Sequence, residues 1–148
     1  MPPRVDFYVS GEAGDAARLR LACRVAEKAY LAKQRVVAYS DDNALLPRFD
    51  ELLWTFGDGS FVPHDIVARD GATCETPVVL TTGPLPADPF IDRESSVLLN
   101  LASTVPPFFE RFARVAEFLD ARPDVRSAGR ERFKTYRGKS IEPQTHNV

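Results

Sequence analysis

Short apolar runs alternate with longer amphipathic stretches along most of the chain. Strands are predicted where β-branched and aromatic side chains are concentrated, at residues 5–9, 35–39, 78–81 and 96–100. Helices are predicted where apolar positions recur every three or four residues, at 15–32, 41–54 and 124–137. The chain therefore begins β-α-β-α, the order from which parallel sheets are built.

Three further segments complete the prediction. After Pro106 and Pro107, which fit the first turn of a helix, apolar positions recur at helical spacing over residues 108–119 and predict another helix. Three prolines make residues 83–89 a surface loop, and the polar residues 138–148 are expected to fray. Because the predicted strands are almost wholly apolar, we predict one domain over 1–148. It is an α/β fold with an open, mostly parallel sheet and helices on both faces, of the Rossmann-like, mononucleotide-binding type.

The first turn between strand and helix is where such a fold usually binds a ligand. It contains Gly11 and Gly14, but their spacing departs from both glycine patterns that bind phosphate, and no lysine follows. Glu12 and Asp15 would repel a phosphate, and Asp15 is placed to cap the next helix. No cofactor is therefore predicted.

Other groups capable of chemistry are isolated. Asp41 and Asp42 stand where a helix is predicted to begin, as capping residues do. His64 could pair with Asp65, yet sequence neighbours rarely face one another, and no nucleophile motif accompanies them. His64 and His146 lack the spacing of metal ligands, so no metal is predicted. A non-catalytic binding module is favoured, and a nucleotide-binding or hydrolytic α/β enzyme is the alternative.

The cysteines and the apolar runs bear on the cellular compartment. Cys23 and Cys74 are far apart and form no C-x-x-C pair, so two reduced, buried thiols are expected. No run approaches the roughly 18 apolar residues that a membrane span needs, and the N-terminus lacks the pattern of a signal peptide. A cytoplasmic protein without a membrane partner is expected.

The net charge of −2 conceals two opposite patches. Residues 122–139 contain seven basic and two acidic residues, a local net charge of +5, so the rest of the chain carries −7. Residues 41–75 have a net charge of −6. The overall balance argues against a general nucleic-acid binder, and the basic segment indicates an acidic partner for the last predicted helix.

That helix has two different sides when its residues are placed at 100° intervals. One side combines an aromatic ring with three guanidinium groups: Arg126, Arg130, Phe133 and Arg137. The other side can pack on the protein, with Arg132 reaching out to water: Val125, Ala128, Gly129, Arg132 and Tyr136. The basic side fits an extended acidic peptide that carries an apolar or aromatic residue. An ordinary solvated face is about as common, and a single aromatic is a poor platform for nucleic-acid bases.

A second unusual segment is the glycine-containing connection over residues 52–64. It brings Trp54, Phe56 and Phe61 together, where full burial of all three side chains would be difficult. The segment either folds back over the core or offers aromatic anchors to a partner.

Two motifs connect these segments to a known family. They are Ser60-Phe61-Val62-Pro63-His64 and Arg130-Glu131-Arg132-Phe133-Lys134-Thr135-Tyr136-Arg137. They are accompanied, over nearly the whole chain, by Phe7-Tyr8, Cys23, Arg35-Val36 and Leu53-Trp54. In this order the residues closely resemble the chi subunits of bacterial DNA polymerase III holoenzyme, which are accessories of the clamp loader.

The resemblance implies a non-catalytic bridge in DNA replication. Chi subunits bind the psi subunit, which tethers them to the clamp loader, and the acidic C-terminal tail of single-stranded DNA-binding protein, which ends in an aromatic residue. Carried over to this sequence, the tail site falls on Arg130 and Phe133, with Leu119 and Arg126 as neighbours. The psi site falls on Trp54, Phe61, Val62 and Pro63. DNA would be contacted only through these partners.

Overall fold

A parallel sheet of seven strands runs through the computed structural model, which describes residues 2–57, 61–88 and 90–148. The strands are β1 (Arg4–Val9), β2 (Val36–Tyr39), β3 (His64–Ile66), β4 (Val78–Thr81), β5 (Val97–Asn100), β6 (Arg114–Leu119) and β7 (Gln144–Asn147). The α-helices are α1 (Asp15–Leu31), α2 (Leu45–Thr55) and α3 (Pro123–Gly138). Ser60 of the first motif and Pro89 of the proline-rich loop lie outside the described residues.

The strand order is β3-β4-β2-β5-β6-β1-β7, and every neighbouring pair is parallel. All residues of β4 and β5 are buried, as their apolar sequences predict for strands covered on both faces. This confirms the predicted α/β class and the open parallel sheet.

Helices cover both faces of the sheet and bury two apolar clusters. On one face α1 and α2 pack on alternate strand residues, with Leu19 and Phe49 among the buried side chains. On the other face Tyr136 of α3 packs with Phe7 and Leu98. Since side chains alternate along a strand, the neighbours of Phe7 on β1 point the opposite way, towards α1.

The helix predicted over residues 108–119 is wrong. A short 3₁₀ turn (Phe109–Arg111) is followed by β6, which lies between β5 and β1. A strand inside the sheet buries both of its faces, and residues 115–119 are all buried. Their continuous burial, rather than a helical stripe, explains the run Val115, Ala116, Phe118 and Leu119.

The tail also differs from the prediction of fraying, because Gln144–Asn147 forms β7 and pairs with β1. His146 Nε2 lies 2.8 Å from Oδ1 of the buried Asp6, and its ring stacks on Tyr8 at a centroid distance of 5.0 Å. The Val148 amide donates to the Val9 carbonyl at 2.9 Å. The polar sequence of β7 is thus ordered by an adjacent strand and a buried carboxylate.

The N-termini of α1 and α2 differ from two capping predictions. Gly14 is the N-cap of α1 and has a φ of +113°, a conformation that favours glycine. Asp15 does not cap the helix, and its carboxylate instead lies 3.0 Å from Arg48 and 2.7 Å from Arg122. Asp42 Oδ1 accepts from the Ala44 amide at 2.8 Å, so Asp42 stabilises the turn before α2 rather than the helix itself.

Candidate peptide-binding surfaces

A cavity of about 350 Å³ lies between α3 and the strands β1, β6 and β7. We call it the α3-side cavity, and its size falls in the range of small-ligand pockets, roughly 300–1,000 Å³. Four of the residues predicted for the acidic-peptide site line it together: Leu119, Arg130, Phe133 and Arg137. The structure adds residues that the sequence did not single out for this site: Phe7, Val9, Gly129, Lys134 and Thr145.

The walls of the α3-side cavity are apolar. Phe133 is half-buried and packs against Phe7 with ring centroids 5.4 Å apart. Gly129 permits α3 to approach β6 closely, since a Cβ there would lie 2.4 Å from Cδ2 of Leu119. Thr145 of β7 lies opposite Phe7 on the neighbouring strand and also lines the cavity. An apolar or aromatic side chain that entered here would leave water, which stabilises binding by about 1.5–3 kcal/mol.

The rim of the cavity is basic. Lys134 lies 3.3 Å from Glu131, and Arg137 lies 3.4 Å from Glu142, but all four side chains are exposed, so these ion pairs are weak. Arg130 is exposed, and its side chain makes no hydrogen bond or ion pair with any residue that the structure describes. Carboxylates of a ligand can therefore reach these cations at little cost.

Arg126 is separated from the other predicted residues. Its Nε donates to the Asp120 carbonyl at 3.1 Å, and Nη2 lies 3.4 Å from the Ser10 carbonyl. The side chain is half-buried at the carboxyl ends of β1 and β6 and does not line the α3-side cavity.

The opposite side of α3 corrects the prediction that Arg132 reaches water. Arg132 is only 4% exposed, and its Nε donates to Glu117 Oε1 of β6 at 2.8 Å. Tyr136 Oη donates to Glu117 Oε2 at 2.6 Å, and Asn100 Nδ2 donates to the same oxygen at 2.8 Å. Burial raises the pKa of Glu117, against the opposing charge of Arg132. These bonds fix the rotation of α3 on the sheet and so turn its basic side outward.

An exposed aromatic patch lies beside β3, at the other edge of the sheet. We define it by Trp54, Phe61 and Ile66, whose exposed fractions are 47%, 61% and 55%. The rings of Trp54 and Phe61 are 5.5 Å apart. Pro63 is half-buried, whereas Val62 is fully buried in the core under α1 and α2 and is not part of the exposed surface. Phe56, of the same connection, is half-buried against that core.

His64 supports the patch from below. Its Nδ1 donates to the Val62 carbonyl at 2.7 Å, and its Nε2 lies 2.9 Å from Oδ1 of Asp50 rather than facing Asp65. The imidazole contacts the Trp54 ring at a centroid distance of 4.4 Å. His64 thus packs against Trp54 of α2 and is itself held by the Val62 carbonyl, whereas its Nε2 makes no hydrogen bond within the described residues.

The crevice at the carboxyl ends of the strands, where nucleotides bind in many related folds, is a cavity of about 350 Å³ lined by internal ion pairs. Arg122 lies 2.7 Å from Asp15 and 2.7 Å from Asp120. The hydrogen bond from Arg122 lowers the pKa of Asp15. Asp41 and Asp42 also line this crevice, so a phosphate would meet several carboxylates there.

Metal-binding clusters, membrane-spanning helices and free thiols are the remaining candidate features. Within residues 2–57, 61–88 and 90–148, no three His, Cys, Asp or Glu side chains form a group that could hold a metal ion. In the same ranges no helix has the length and apolar character to cross a membrane. Cys23 and Cys74 are free thiols; Cys23 is buried as predicted, but Cys74 is only half-buried. Burial raises the pKa of Cys23 to about 12.

The fold and these surfaces define an open parallel α/β protein with a basic-rimmed apolar cavity at one sheet edge and an aromatic patch at the other. Residues 1–144 match the family model of the DNA polymerase III chi subunit, HolC. The chain is 37% identical to DNA polymerase III subunit chi of Pseudomonas aeruginosa over 145 residues, which cover 98% of this chain and 96% of that protein. The chi subunit of Escherichia coli K12 is 29% identical over 127 residues, covering 84% and 81% of the two chains. That of Haemophilus influenzae is 24% identical over 148 residues, covering 100% and 99%. The chain therefore belongs to the DNA polymerase III chi subunit family, which gives it an accessory role in DNA replication.

Proposed function

We propose that this protein is a non-catalytic bridge that joins two other replication proteins in the cytoplasm, with no cofactor. One partner is the acidic C-terminal tail of single-stranded DNA-binding protein, bound in the α3-side cavity. The other is the psi subunit of the clamp loader, bound at the aromatic patch. The observation that carries the proposal is that the two surfaces lie beside opposite edge strands, β7 and β3.

The separation of the edges supports simultaneous binding. Six strand spacings of about 4.8 Å place β3 and β7 roughly 29 Å apart. A peptide in the α3-side cavity would leave the aromatic patch free, so neither partner needs to displace the other.

The chemistry of the α3-side cavity supports an acidic tail with an aromatic end. The terminal ring would occupy the apolar space between Phe133 and Leu119, and the carboxylates would pair with Arg130 and its basic neighbours. Each charge-assisted hydrogen bond that the bound peptide shields from water contributes about 1.5–3 kcal/mol, whereas pairs that stay exposed contribute about 0.2–1 kcal/mol. Affinity should fall with added salt because the cations are exposed.

The tail site is tested by titrating a labelled acidic peptide that ends in phenylalanine. Arg130→Ala should weaken binding roughly ten- to a hundredfold and reduce the salt dependence. Arg69→Ala, an exposed arginine remote from α3 in sequence, is the matched control and should bind as the wild type does. Equal affinities of Arg130→Ala and the wild type for the peptide would refute the assignment of the tail site.

The psi site is tested by copurification. Trp54→Ala should abolish recovery of psi while leaving peptide binding intact, because Trp54 is an exposed anchor outside the α3-side cavity. Leu31→Ala removes another exposed apolar side chain and should retain psi. Retention of psi by Trp54→Ala would refute the assignment, and loss of both partners would indicate unfolding.

A further inference from the structure

A second apolar hollow lies on the opposite face of the sheet from the α3-side cavity. Its volume is about 190 Å³, its floor is formed by Tyr8, Leu21 and Val25, and Arg24 and Lys28 stand on its rim. An adjoining hollow of about 240 Å³ shares Leu21 and Arg24 and continues along α1. We call the two together the α1-side groove.

The rim of the α1-side groove carries regularly spaced cations. Arg20, Arg24 and Lys28 lie four residues apart on α1 and are all exposed, spanning about 12 Å of helix. Arg20 reaches Glu12 at 3.5 Å in an exposed pair. The side chains of Arg24 and Lys28 make no hydrogen bond or ion pair within the described parts of the chain.

The acidic groups near the groove leave its rim positive. Asp6 lies on the same strand face as Tyr8 but is fully buried, and Arg4, Arg114 and His146 surround its carboxylate at 2.8–3.1 Å. Glu12 pairs with Arg20, and Glu27, half-buried on α1, does not line the groove. Val148 also lines both hollows, and Arg114, which lines the first, is paired with Asp6. The unpaired side-chain cations that a ligand would meet are therefore Arg24 and Lys28.

The strand β7 separates the groove from the α3-side cavity. Thr145 lies beside Phe7 and lines the α3-side cavity, whereas the next residue, His146, stacks on Tyr8, which forms part of the groove floor. Since β7 is the edge strand, a chain that leaves one hollow can pass around the edge to the other. Crossing about 10 Å and following about 12 Å of α1 needs about six or seven extended residues.

We propose that the α1-side groove binds the acidic segment that precedes the tail terminus seated in the α3-side cavity. The ligand is an extended peptide whose carboxylates pair with Arg24 and Lys28 while an aliphatic side chain covers Leu21 and Val25. This inference rests on the proposed tail site and extends it around the sheet edge. It makes α1 a second determinant of affinity and of selectivity for long acidic tails.

Two peptides test the inference by fluorescence anisotropy at low salt. The short one is acidic and ends in phenylalanine, and the long one adds about six aspartate-rich residues at its N-terminus. The wild type should bind the long peptide roughly three- to tenfold more tightly, the gain expected of two exposed ion pairs. Arg24→Glu/Lys28→Glu should remove that gain and leave the affinity for the short peptide unchanged.

Matched controls separate this effect from net charge. Lys33→Glu/Arg69→Glu makes the same change of charge at exposed positions outside the groove and should keep the gain. Replacing the added aspartates with asparagines should abolish it in the wild type.

Each contrary outcome has its own meaning. If the short peptide binds the wild type but lengthening brings no gain, or if the groove variant keeps the gain, the groove proposal is refuted and the tail site stands. If neither peptide binds the wild type, the proposed tail site fails and the groove proposal fails with it. Single-stranded oligothymidine binding that depends on Arg24 and Lys28, without a gain from the long peptide, would assign the groove to nucleic acid and overturn the proposal.

Discussion

Replacing Arg132 with methionine should destabilise the fold, whereas the same change at the exposed Arg130 should be tolerated. Arg132 donates to Glu117 at 2.8 Å and to the Ser103 carbonyl at 3.0 Å in a site that is almost fully buried. Arg132→Met keeps an unbranched side chain and removes the charge, which leaves the Glu117 carboxylate with hydrogen bonds from Tyr136 and Asn100 alone.

The expected loss is about 3–4 kcal/mol in the free energy of unfolding at pH 7. Removing one partner from a buried ion pair usually costs about 3–5 kcal/mol. The penalty is limited because Glu117 can take up a proton, which from its ordinary pKa of 4.5 costs about 3 kcal/mol at pH 7. In the variant the folded-state pKa of Glu117 lies still further above its unfolded value, so stability is recovered as pH falls. The gap from the wild type should therefore narrow between pH 7 and pH 5.

Urea unfolding followed by circular dichroism measures this difference. Arg130→Met is the control and should change stability by less than about 0.5 kcal/mol, since Arg130 is exposed on the same helix. A loss below about 1 kcal/mol for Arg132→Met, or a gap that widens at pH 5, would refute the role given to this ion pair.

Three further predictions concern Gly129 and Thr145 of the α3-side cavity and the buried carboxylate of Asp6. Gly129→Ala should weaken acidic-peptide binding, because the added Cβ displaces the flexible end of Leu119 into the α3-side cavity. The free energy of unfolding should change by no more than about 1–2 kcal/mol. Calorimetric titration measures the affinity, and an unchanged affinity would contradict this prediction. Thr145→Glu should weaken the same binding at least severalfold without loss of stability, because it adds a carboxylate to an exposed cavity wall; anisotropy measures it. The free energy of unfolding should fall as pH drops below about 4. Burial opposes ionisation of Asp6, but His146 and Arg114 outweigh burial and lower the pKa of Asp6. The stabilisation that the ionised carboxylate provides above the ordinary pKa of 3.8 is therefore lost in acid. Asp6→Asn should make the free energy of unfolding less dependent on pH in this acidic range.

The sequence predicted the central strands and the three long helices because local patterns dictate them. β2, β4 and β5 are buried on both faces, so their apolar runs are recognisable without knowledge of their neighbours. β6 is equally buried, but its apolar residues also fall at helical spacing after two prolines. The segment forms a strand rather than a helix because it occupies the position between β5 and β1 in the sheet, which the sequence alone does not reveal. β7 has no apolar pattern at all, since it is stabilised by pairing with β1 and by the contact of His146 with Asp6.

The candidate sites were predictable to the extent that they lie on one helix. Arg130, Phe133 and Arg137 share a side of α3, and helical geometry alone brings them together. Helical spacing also placed Arg132 on the packed side, but burial of its charged head depended on Glu117, which a strand supplies. Thr145 could not be assigned to the site, because the strand that carries it depends on long-range pairing.

The distribution of paired and unpaired charges favours ligand binding at the sheet edges over the crevice that many proteins of this fold class use. At the carboxyl ends of the strands Arg122 is already paired with Asp15 and Asp120, and Asp41 and Asp42 add negative charge, so that region offers an acidic ligand little free positive charge. Exposed cations whose side chains have no partner among the described residues, such as Arg24 and Lys28 of α1 and Arg130 of α3, lie on either side of β7. An edge strand flanked by cations on both faces suits an extended acidic chain better than a compact nucleotide, because the chain can bend around the edge and meet both sets of charges. The same geometry leaves β3 and the exposed Trp54 free for a second, apolar partner.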